Sequence, residues 1–407
     1  MLRGEVVERR VGGSSCAPSA VQAVTRMLLV SGEYPPTIGG VGDYTFHLAH
    51  ALARRGHDVS VLISGRAERG RSTCVARGDG VRVHTSRVSW HVANAASMAR
   101  AIGDLRPDVV NFQYVPQLYG RAGIAPGAAM LPLLIRRMCH ATVVSTMHEI
   151  ASPWDLQPRR LGAAFAHRAQ AMLMMTASHR VIVTNPVYAR MARRWNGAVH
   201  EIPVGPSILP VAVREPEILE IRASLGAGEG ALIGEFSPLA VGKSPGDLIA
   251  LLRTLGTRAR LVMLGGLATD AARRGSFMRY AAAAGVAGRI IWTGALSPAD
   301  ISRHLSALDV YVHTHTAGAS GRSTTLVSAL AHGLPVVAYE GPETGPSMAS
   351  QGVTLAPRGD ACALAGRVAA LLDAPEARGR SGAAAHKLHV RQFSWDVIAS
   401  RVLEAFA

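Results

Sequence analysis

Arg26-Met27-Leu28-Leu29-Val30-Ser31-Gly32-Glu33-Tyr34-Pro35-Pro36-Thr37-Ile38-Gly39-Gly40-Val41-Gly42 opens as an apolar β-strand, Arg26 to Ser31, passes through a loop rich in glycine and proline, and leaves it in an amphipathic helix. A strand feeding a glycine loop at a helix start makes an anion site. Glycine tolerates positive φ and close backbone approach, and the first helical turn offers unpaired N–H groups at the positive end of its dipole. A phosphate or a sugar fits there. An ordinary α/β connection has the same form, and the loop alone does not separate the two. It is not a dinucleotide fingerprint, which needs Gly-x-Gly-x-x-Gly directly after the strand and an acidic residue ending the next one. Here prolines intervene, and the second strand, Asp58 to Ser64, runs into Gly65.

Outward from this stretch, short β-branched runs alternate with Ala- and Leu-rich helical stretches, the pattern of parallel sheets covered by helices on both faces. In the first half strands are expected at Arg26 to Ser31, Asp58 to Ser64, Asp108 to Gln113, Ala141 to Met147 and Arg180 to Thr184. In the second they are expected at Ala231 to Phe236, Arg260 to Leu264, Arg289 to Thr293, Asp309 to His313 and Leu334 to Ala338. Each half reads as a doubly wound α/β unit, and 407 residues with 48% apolar content suffice for two cores. Pro203, Gly205, Pro206, Pro210 and Pro216 interrupt any regular element, so 26–204 and 217–392 read as domains joined by a linker at 205–216. Phe393, Val397, Ile398, Val402, Leu403 and Phe406 recur at helical spacing, and 393–407 is expected to cross back onto the first domain. Two such units facing each other would put their strand C-termini, and their ligand loops, on a central cleft.

The chain carries 43 basic and 28 acidic residues, a formal charge of +15, which favours anionic partners such as nucleotide sugars, membrane surfaces or nucleic acid. The arginines are dispersed, aromatic residues make up 5%, and no nucleic-acid module is recognisable, so nucleic-acid binding is not expected. A peripheral contact with the inner face of a membrane stays open. No uncharged apolar run approaches the roughly 20 residues of a spanning helix, and the N-terminus lacks the apolar core of a signal peptide. Cys16, Cys74, Cys139 and Cys362 lie far apart, without the spacing of a zinc site, a redox dithiol or a disulfide framework. The expectation is a cytoplasmic protein, monomer or homodimer, with residues 1–25 a disordered extension and Met27 a place where a shorter product could begin.

Three places carry chemistry. Glu235-Phe236-Ser237-Pro238-Leu239-Ala240-Val241-Gly242-Lys243 is again a strand running into a small-residue loop before a helix. Lys243 is one of only two lysines, with Lys387, in a chain whose basic charge is otherwise arginine. It would reach a phosphate there; without an anion it would sit at the wrong end of the dipole. After the strand Asp309 to His313, the run Thr314 to Thr325 leads into the helix containing Ser328. Free N–H groups, the hydroxyls of Ser323, Thr324 and Thr325, and the Arg322 guanidinium together suit a diphosphate, although Ser323 alone reads equally as an N-cap. His313 and His315 alternate, but with no third ligand nearby they flank a strand end and do not make a metal pair. In the first half, the strand Ala141 to Met147 ends in His148 and Glu149. His148 would point into the cleft, either toward a substrate hydroxyl or tied to a backbone carbonyl. The chain has no Asp-x-Asp motif, so a metal-bridged diphosphate is not expected.

Taken together these segments resemble the GT-B glycosyltransferases, particularly retaining family 4, from Met27 onward. The resemblance rests on the Gly32 to Gly42 loop, Arg55-Gly56-His57-Asp58-Val59, His148-Glu149, the Lys243 loop, Asp309-Val310-Tyr311-Val312, Ala329-Leu330-Ala331-His332-Gly333-Leu334-Pro335-Val336-Val337 and Phe393-Ser394-Trp395. It implies two Rossmann-like domains and transfer of a sugar, with retained anomeric configuration and without a metal, from a nucleotide-diphosphate sugar to an acceptor hydroxyl. A UDP-sugar is favoured, with GDP- or dTDP-sugars as alternatives, and no other cofactor is implied. His148, Lys243 and Arg322 would be catalytic. The donor would meet Gly40, Gly42, Ser237, Gly294, Leu296, Ser320, Ser323, Thr324, Thr325 and Ser328, and the acceptor Tyr44 and Glu149. An Arg- and Ala-rich, GC-biased chain points to an actinobacterial-type host and to secondary-metabolite, glycolipid or envelope-glycan synthesis.

Two departures stand out. The glutamates that the family places at both ends of a Glu-x7-Glu segment are here Ser320 and Ser328, and the arginine expected before the lysine is Pro238. Losing a carboxylate removes roughly 1.5–3 kcal/mol of hydroxyl recognition. The competing readings are therefore a catalytically silent GT-B protein that binds a sugar nucleotide or supports a partner, and a nucleotide-sugar epimerase, which would need carboxylates in the cleft.

Overall fold

The structure, a computed structural model, describes residues 24–64, 73–76, 80–86, 88, 90–150, 158–228, 230–236, 239, 241–265 and 271–406. The expected N-terminal extension lies almost wholly outside these residues. The first sheet contains β1 (Arg26–Ser31), β2 (Asp58–Ser64), β3 (Thr73–Ala76), β4 (Val81–Ser86), β5 (Val109–Tyr114), β6 (Thr142–Met147), β7 (Arg180–Val183) and β8 (Val199–Glu201). Their order is β3-β4-β2-β1-β5-β6-β7-β8, every pairing parallel except β3 with β4. The second sheet contains β9 (Ala231–Phe236), β10 (Ala259–Leu264), β11 (Ile290–Trp292), β12 (Val310–His313), β13 (Val336–Tyr339) and β14 (Thr354–Ala356), in the all-parallel order β11-β10-β9-β12-β13-β14. Apolar clusters flank each sheet, so the molecule is two Rossmann-like units.

The ten strands read from the sequence are present, and four more, β3, β4, β8 and β14, were not visible in it. Buried parallel strands are continuous apolar runs, whereas Val81–Ser86 alternates in burial and β8 and β14 have 3 residues each at sheet edges. Four expected strands, β5, β6, β11 and β12, start one residue late, and at two of them an aspartate stands just before the strand. Asp108 and Asp309 do not join the ladders; their carboxylates accept the backbone N–H of Arg26 and Leu232, each at 2.8 Å, and so cap neighbouring strands.

The proline-rich connection is sewn to the second unit. Val204 N–H donates to Gly321 O at 2.8 Å, Ile208 N–H to Ser328 Oγ at 3.1 Å, and Val211 N–H to Ser302 Oγ at 2.9 Å. Regular structure resumes with the helix Glu215–Ser224, whose second residue, Pro216, suits a first turn. The terminal helix Trp395–Phe406 lies against the helix Gly40–Arg54 and buries Trp395, Ile398, Val402 and Phe406 with Leu48, Leu52 and Val61 of the first unit. Trp395 Nε1 donates to Pro206 O at 3.1 Å, and its ring occupies the space that a Cβ on Gly205 would need, which explains the glycine. Replacing Trp395 by Ala should lower stability by about 3–5 kcal/mol through the cavity it leaves. Urea unfolding checks this; a loss under 1 kcal/mol would mean that the terminal helix does not clasp the first unit.

Candidate functional site

The C-terminal ends of β9 and β12 come together around a buried carboxylate. Glu235, fully buried in β9, accepts from Thr314 N–H at 2.9 Å and from Thr314 Oγ1 at 3.0 Å. Lys243 Nζ lies 3.2 Å from Glu235 Oε1 and donates to Phe236 O at 2.5 Å. The two loops are also stitched through backbone, Ser244 N–H to Thr314 O at 3.1 Å and Thr316 N–H to Gly242 O at 2.8 Å. Gly242 has φ +86°, and the His315 ring fills the position of its missing side chain, so no other residue fits this crossing. Lys243 is thus positioned at the loop as expected, but its charge is already matched by Glu235. Ser237 and Pro238 lie outside the described residues.

The run after β12 builds the other wall. Ser323 caps the helix Thr324–Ala331, accepting from Leu326 N–H at 3.4 Å. Arg322 Nε donates to Glu343 Oε2 at 2.6 Å, and its guanidinium lies 5.9 Å from the Tyr188 ring of the first unit. Ser320 Oγ accepts from Arg322 N–H at 3.3 Å. These residues enclose a cavity of about 200 Å³ with Lys243, His313, His315, Thr324 and Thr325. It adjoins a larger cavity of about 730 Å³, walled by Ile249, Phe277 and Tyr280, and shares Val241 and Lys243 with it. Burial and Lys243 hold the His313 ring well below the usual imidazole range, and burial and Arg322 push His315 down.

One residue proposed from the sequence to meet the donor, Ser328, has a different role. Ser328 is fully buried; its hydroxyl donates to Thr324 O at 2.7 Å and accepts from Ile208 N–H, so it ties the helix to the interdomain connection. Gly294 and Leu296 follow the edge strand β11 and line neither cavity.

In the first unit the opening glycine loop is spoken for. Glu33 Oε1 accepts from Val41 N–H at 2.9 Å and Gly42 N–H at 2.8 Å, so the protein supplies its own anion to the start of the helix Gly40–Arg54. A Cβ on Gly39 would collide with that carboxylate, while Gly40 has open space around it and Gly42 is buried. The free anion site expected there is therefore corrected. Asp43, beside Glu33, has its carboxyl raised to about 6 by burial and by the neighbouring charge.

His148 follows β6, and its Nε2 lies 2.9 Å from Gln113 Oε1. An amide oxygen there requires Nε2–H, which leaves Nδ1 as an acceptor. Burial takes the His148 pKa down to about 3, so the ring is neutral at physiological pH. The partner is a side chain, not the backbone carbonyl considered from the sequence. Tyr44, expected at the acceptor, is buried with its ring edge-on to His148 at 4.6 Å and to Trp395 at 5.4 Å; it supports the histidine from the core. Glu149 is half-buried, raised by burial, and within the electrostatic reach of Arg322 across the cleft.

Sequence reasoning missed Glu235, Glu343 and Gln113. Glu235 left a trace, a charge inside an otherwise apolar strand. Glu343 and Gln113 left none, because their partners are distant in sequence.

Residues 39–205 match the Glycosyl transferase 4-like domain, and residues 246–374 match Glycosyl transferases group 1. The chain belongs to the GT-B glycosyltransferases. It is similar to a GDP-mannose-dependent alpha-(1-6)-phosphatidylinositol monomannoside mannosyltransferase of Mycolicibacterium smegmatis, 24% identical over 395 residues, 93% of this chain and 97% of that one. A glycogen synthase of Mycobacterium tuberculosis is 60% identical, but the match spans 38 residues, 9% of each chain. Among solved structures, sucrose-phosphate synthase from Thermosynechococcus elongatus superposes with a TM-score of 0.73 at 17% identity, covering 93% of this chain and 98% of that one. Anabaena HepE in complex with UDP-glucose gives 0.67 at 17% identity over the same shares, 93% and 98%. These structures share the fold of this glycosyltransferase.

The Glu235–Lys243 pair has a measurable signature. Lys243→Ala leaves a buried carboxylate without its cation and should cost about 3–5 kcal/mol, whereas the double variant Glu235→Leu, Lys243→Met removes both charges and should cost much less. Denaturant unfolding of the two variants checks this; equal losses would show that the pair is not coupled.

Proposed function

We propose that this glycosyltransferase moves a sugar from a nucleotide-diphosphate sugar, UDP-linked in the first instance, to an acceptor hydroxyl, with retained configuration and without a metal. The observation that carries the reading is the cavity at the ends of β9 and β12. It is lined by Lys243, Arg322, the hydroxyls of Ser323, Thr324 and Thr325, and the start of a helix. The leaving diphosphate would lie against this helix start, where N–H groups, hydroxyls and two cations offset its developing charge. His148, neutral and with Nδ1 as an acceptor, would orient a hydroxyl of the donor sugar. The leaving phosphate would take the acceptor's proton on the same face of the sugar, and Glu149 would border the acceptor. The absence of an Asp-x-Asp motif supports metal independence.

The M. smegmatis relative's name specifies GDP-mannose and a phosphatidylinositol glycolipid, which supports a glycolipid acceptor and keeps GDP-sugars among the donors to test. Among the described residues no helix is long and apolar enough to cross a membrane, so a lipid acceptor would be met at a surface. A second reading has an observation of its own. Lys243 and Arg322 each have an internal carboxylate partner, as a site retained for binding without turnover would also have.

Mass spectrometry of UDP-, GDP- and dTDP-sugars incubated with the protein, with and without glycolipid acceptors, separates the two. The expected result is slow hydrolysis or transfer with one donor class, unchanged by EDTA, with NMR of the product showing the donor's anomeric configuration. Nucleotide binding without turnover on any donor and acceptor would establish the silent reading, and an inverted product would overturn retention.

A further inference from the structure

Tyr311, His313 and His315 point the same way from the end of β12 and form a column of rings, with centroids 6.4 Å and 5.9 Å apart and interplanar angles of 20° and 13°. The middle ring is anomalous. His313 is 1% exposed, yet neither Nδ1 nor Nε2 has a hydrogen-bond partner. A buried polar atom left unpaired costs about 1–3 kcal/mol, so an imidazole with both nitrogens orphaned calls for a partner outside the protein. His313 also lines the 200 Å³ cavity, and among the described residues that line it, its side chain alone has buried polar atoms without a partner.

Several other polar groups of that wall are held by the protein itself. Lys243 is held by Glu235, Arg322 by Glu343, and Ser323 Oγ by the helix it caps. Ser320 stands where the family's glutamate would read a sugar hydroxyl, and its hydroxyl instead accepts from Arg322 N–H. Among the described residues of this wall, His313 is the one side chain whose polar atoms are buried and without a partner.

We propose that His313 is a ligand-contacting residue of the donor site, its imidazole hydrogen-bonding a hydroxyl of the sugar carried by the nucleotide. This rests on the reading of the cavity as a nucleotide-sugar site. The chemistry of the ring favours the sugar over the diphosphate. Lys243 and His315, together with burial, keep the ring neutral, with one N–H and one lone pair. A phosphate oxygen only accepts, so it can use the N–H but cannot donate to the bare nitrogen. A hydroxyl both donates and accepts, and can satisfy either. The stacking of His313 between Tyr311 and His315 fixes the plane of the ring, so the direction of that bond is set before the ligand arrives.

The test uses the full chain with two matched probe pairs, UDP with UDP-glucose and GDP with GDP-mannose, taking the pair that binds more tightly. In His313→Phe, which keeps the stack and removes both nitrogens, calorimetry should show the ratio of sugar-nucleotide Kd to nucleotide Kd rising about tenfold over the parent. The nucleotide Kd itself should stay within twofold. An equal weakening for nucleotide and sugar nucleotide would place His313 on the diphosphate and overturn the proposal, as would no change in either. A parent chain that binds none of the four probes would instead overturn the reading of the cavity. A measurement free of folding effects uses the unsubstituted protein: in histidine side-chain ¹H–¹⁵N spectra, assigned with His313→Gln, the His313 resonances should shift on adding the sugar nucleotide and not on adding the nucleotide. Equal shifts with both would again contradict the assignment.

Discussion

The cavity wall of the second unit depends on one buried ion pair, Glu235 with Lys243. Glu235 ends a central strand of the second sheet, Lys243 lies in the loop that follows, and Thr314 brings in the loop after β12 through both its N–H and its hydroxyl. A carboxylate taken out of water is costly unless each of its oxygens is used, and here the partners are supplied by the two loops that form the cavity wall. Breaking the pair would release both loops together. The shape of the cavity is thus coupled to a charge that never touches solvent.

The same economy recurs across the cleft. Arg322 comes with Glu343, and the helix start at Gly40 comes with Glu33. Each of these three places already holds a carboxylate from the chain itself. On the proposed reading a diphosphate would meet cations that are oriented in advance but partly neutralised, which shifts the emphasis from net charge to the directed N–H and O–H donors of Ser323, Thr324 and Thr325. Serine in place of the family's glutamate at Ser320 fits this balance, since a further carboxylate there would add to a wall that already contains Glu343.

The architecture was legible because buried parallel strands are uninterrupted apolar runs and because prolines mark the connection between units. What escaped was short and peripheral: β3, β4, β8 and β14 carry alternating or brief patterns that a sheet accepts only once a neighbour exists. At the site, residue types were readable and pairings were not. Glu33 reaches Gly42 9 residues on, Arg322 reaches Glu343 21 residues on, and Glu235 reaches Thr314 79 residues on. A sequence displays the cation and the glycine turn locally. The counter-ion arrives only with the fold, as does the burial that makes Ser328 a clamp and Tyr44 a support for His148.

Hydrogen–deuterium exchange on Glu235→Leu tests this dependence most directly. The account predicts faster exchange at the Ser244, Thr314 and Thr316 amides, which hold the two loops together, with the ladders of β9 and β10 still protected. Unchanged exchange at those three amides would contradict it, because the loops would then be held without the buried pair.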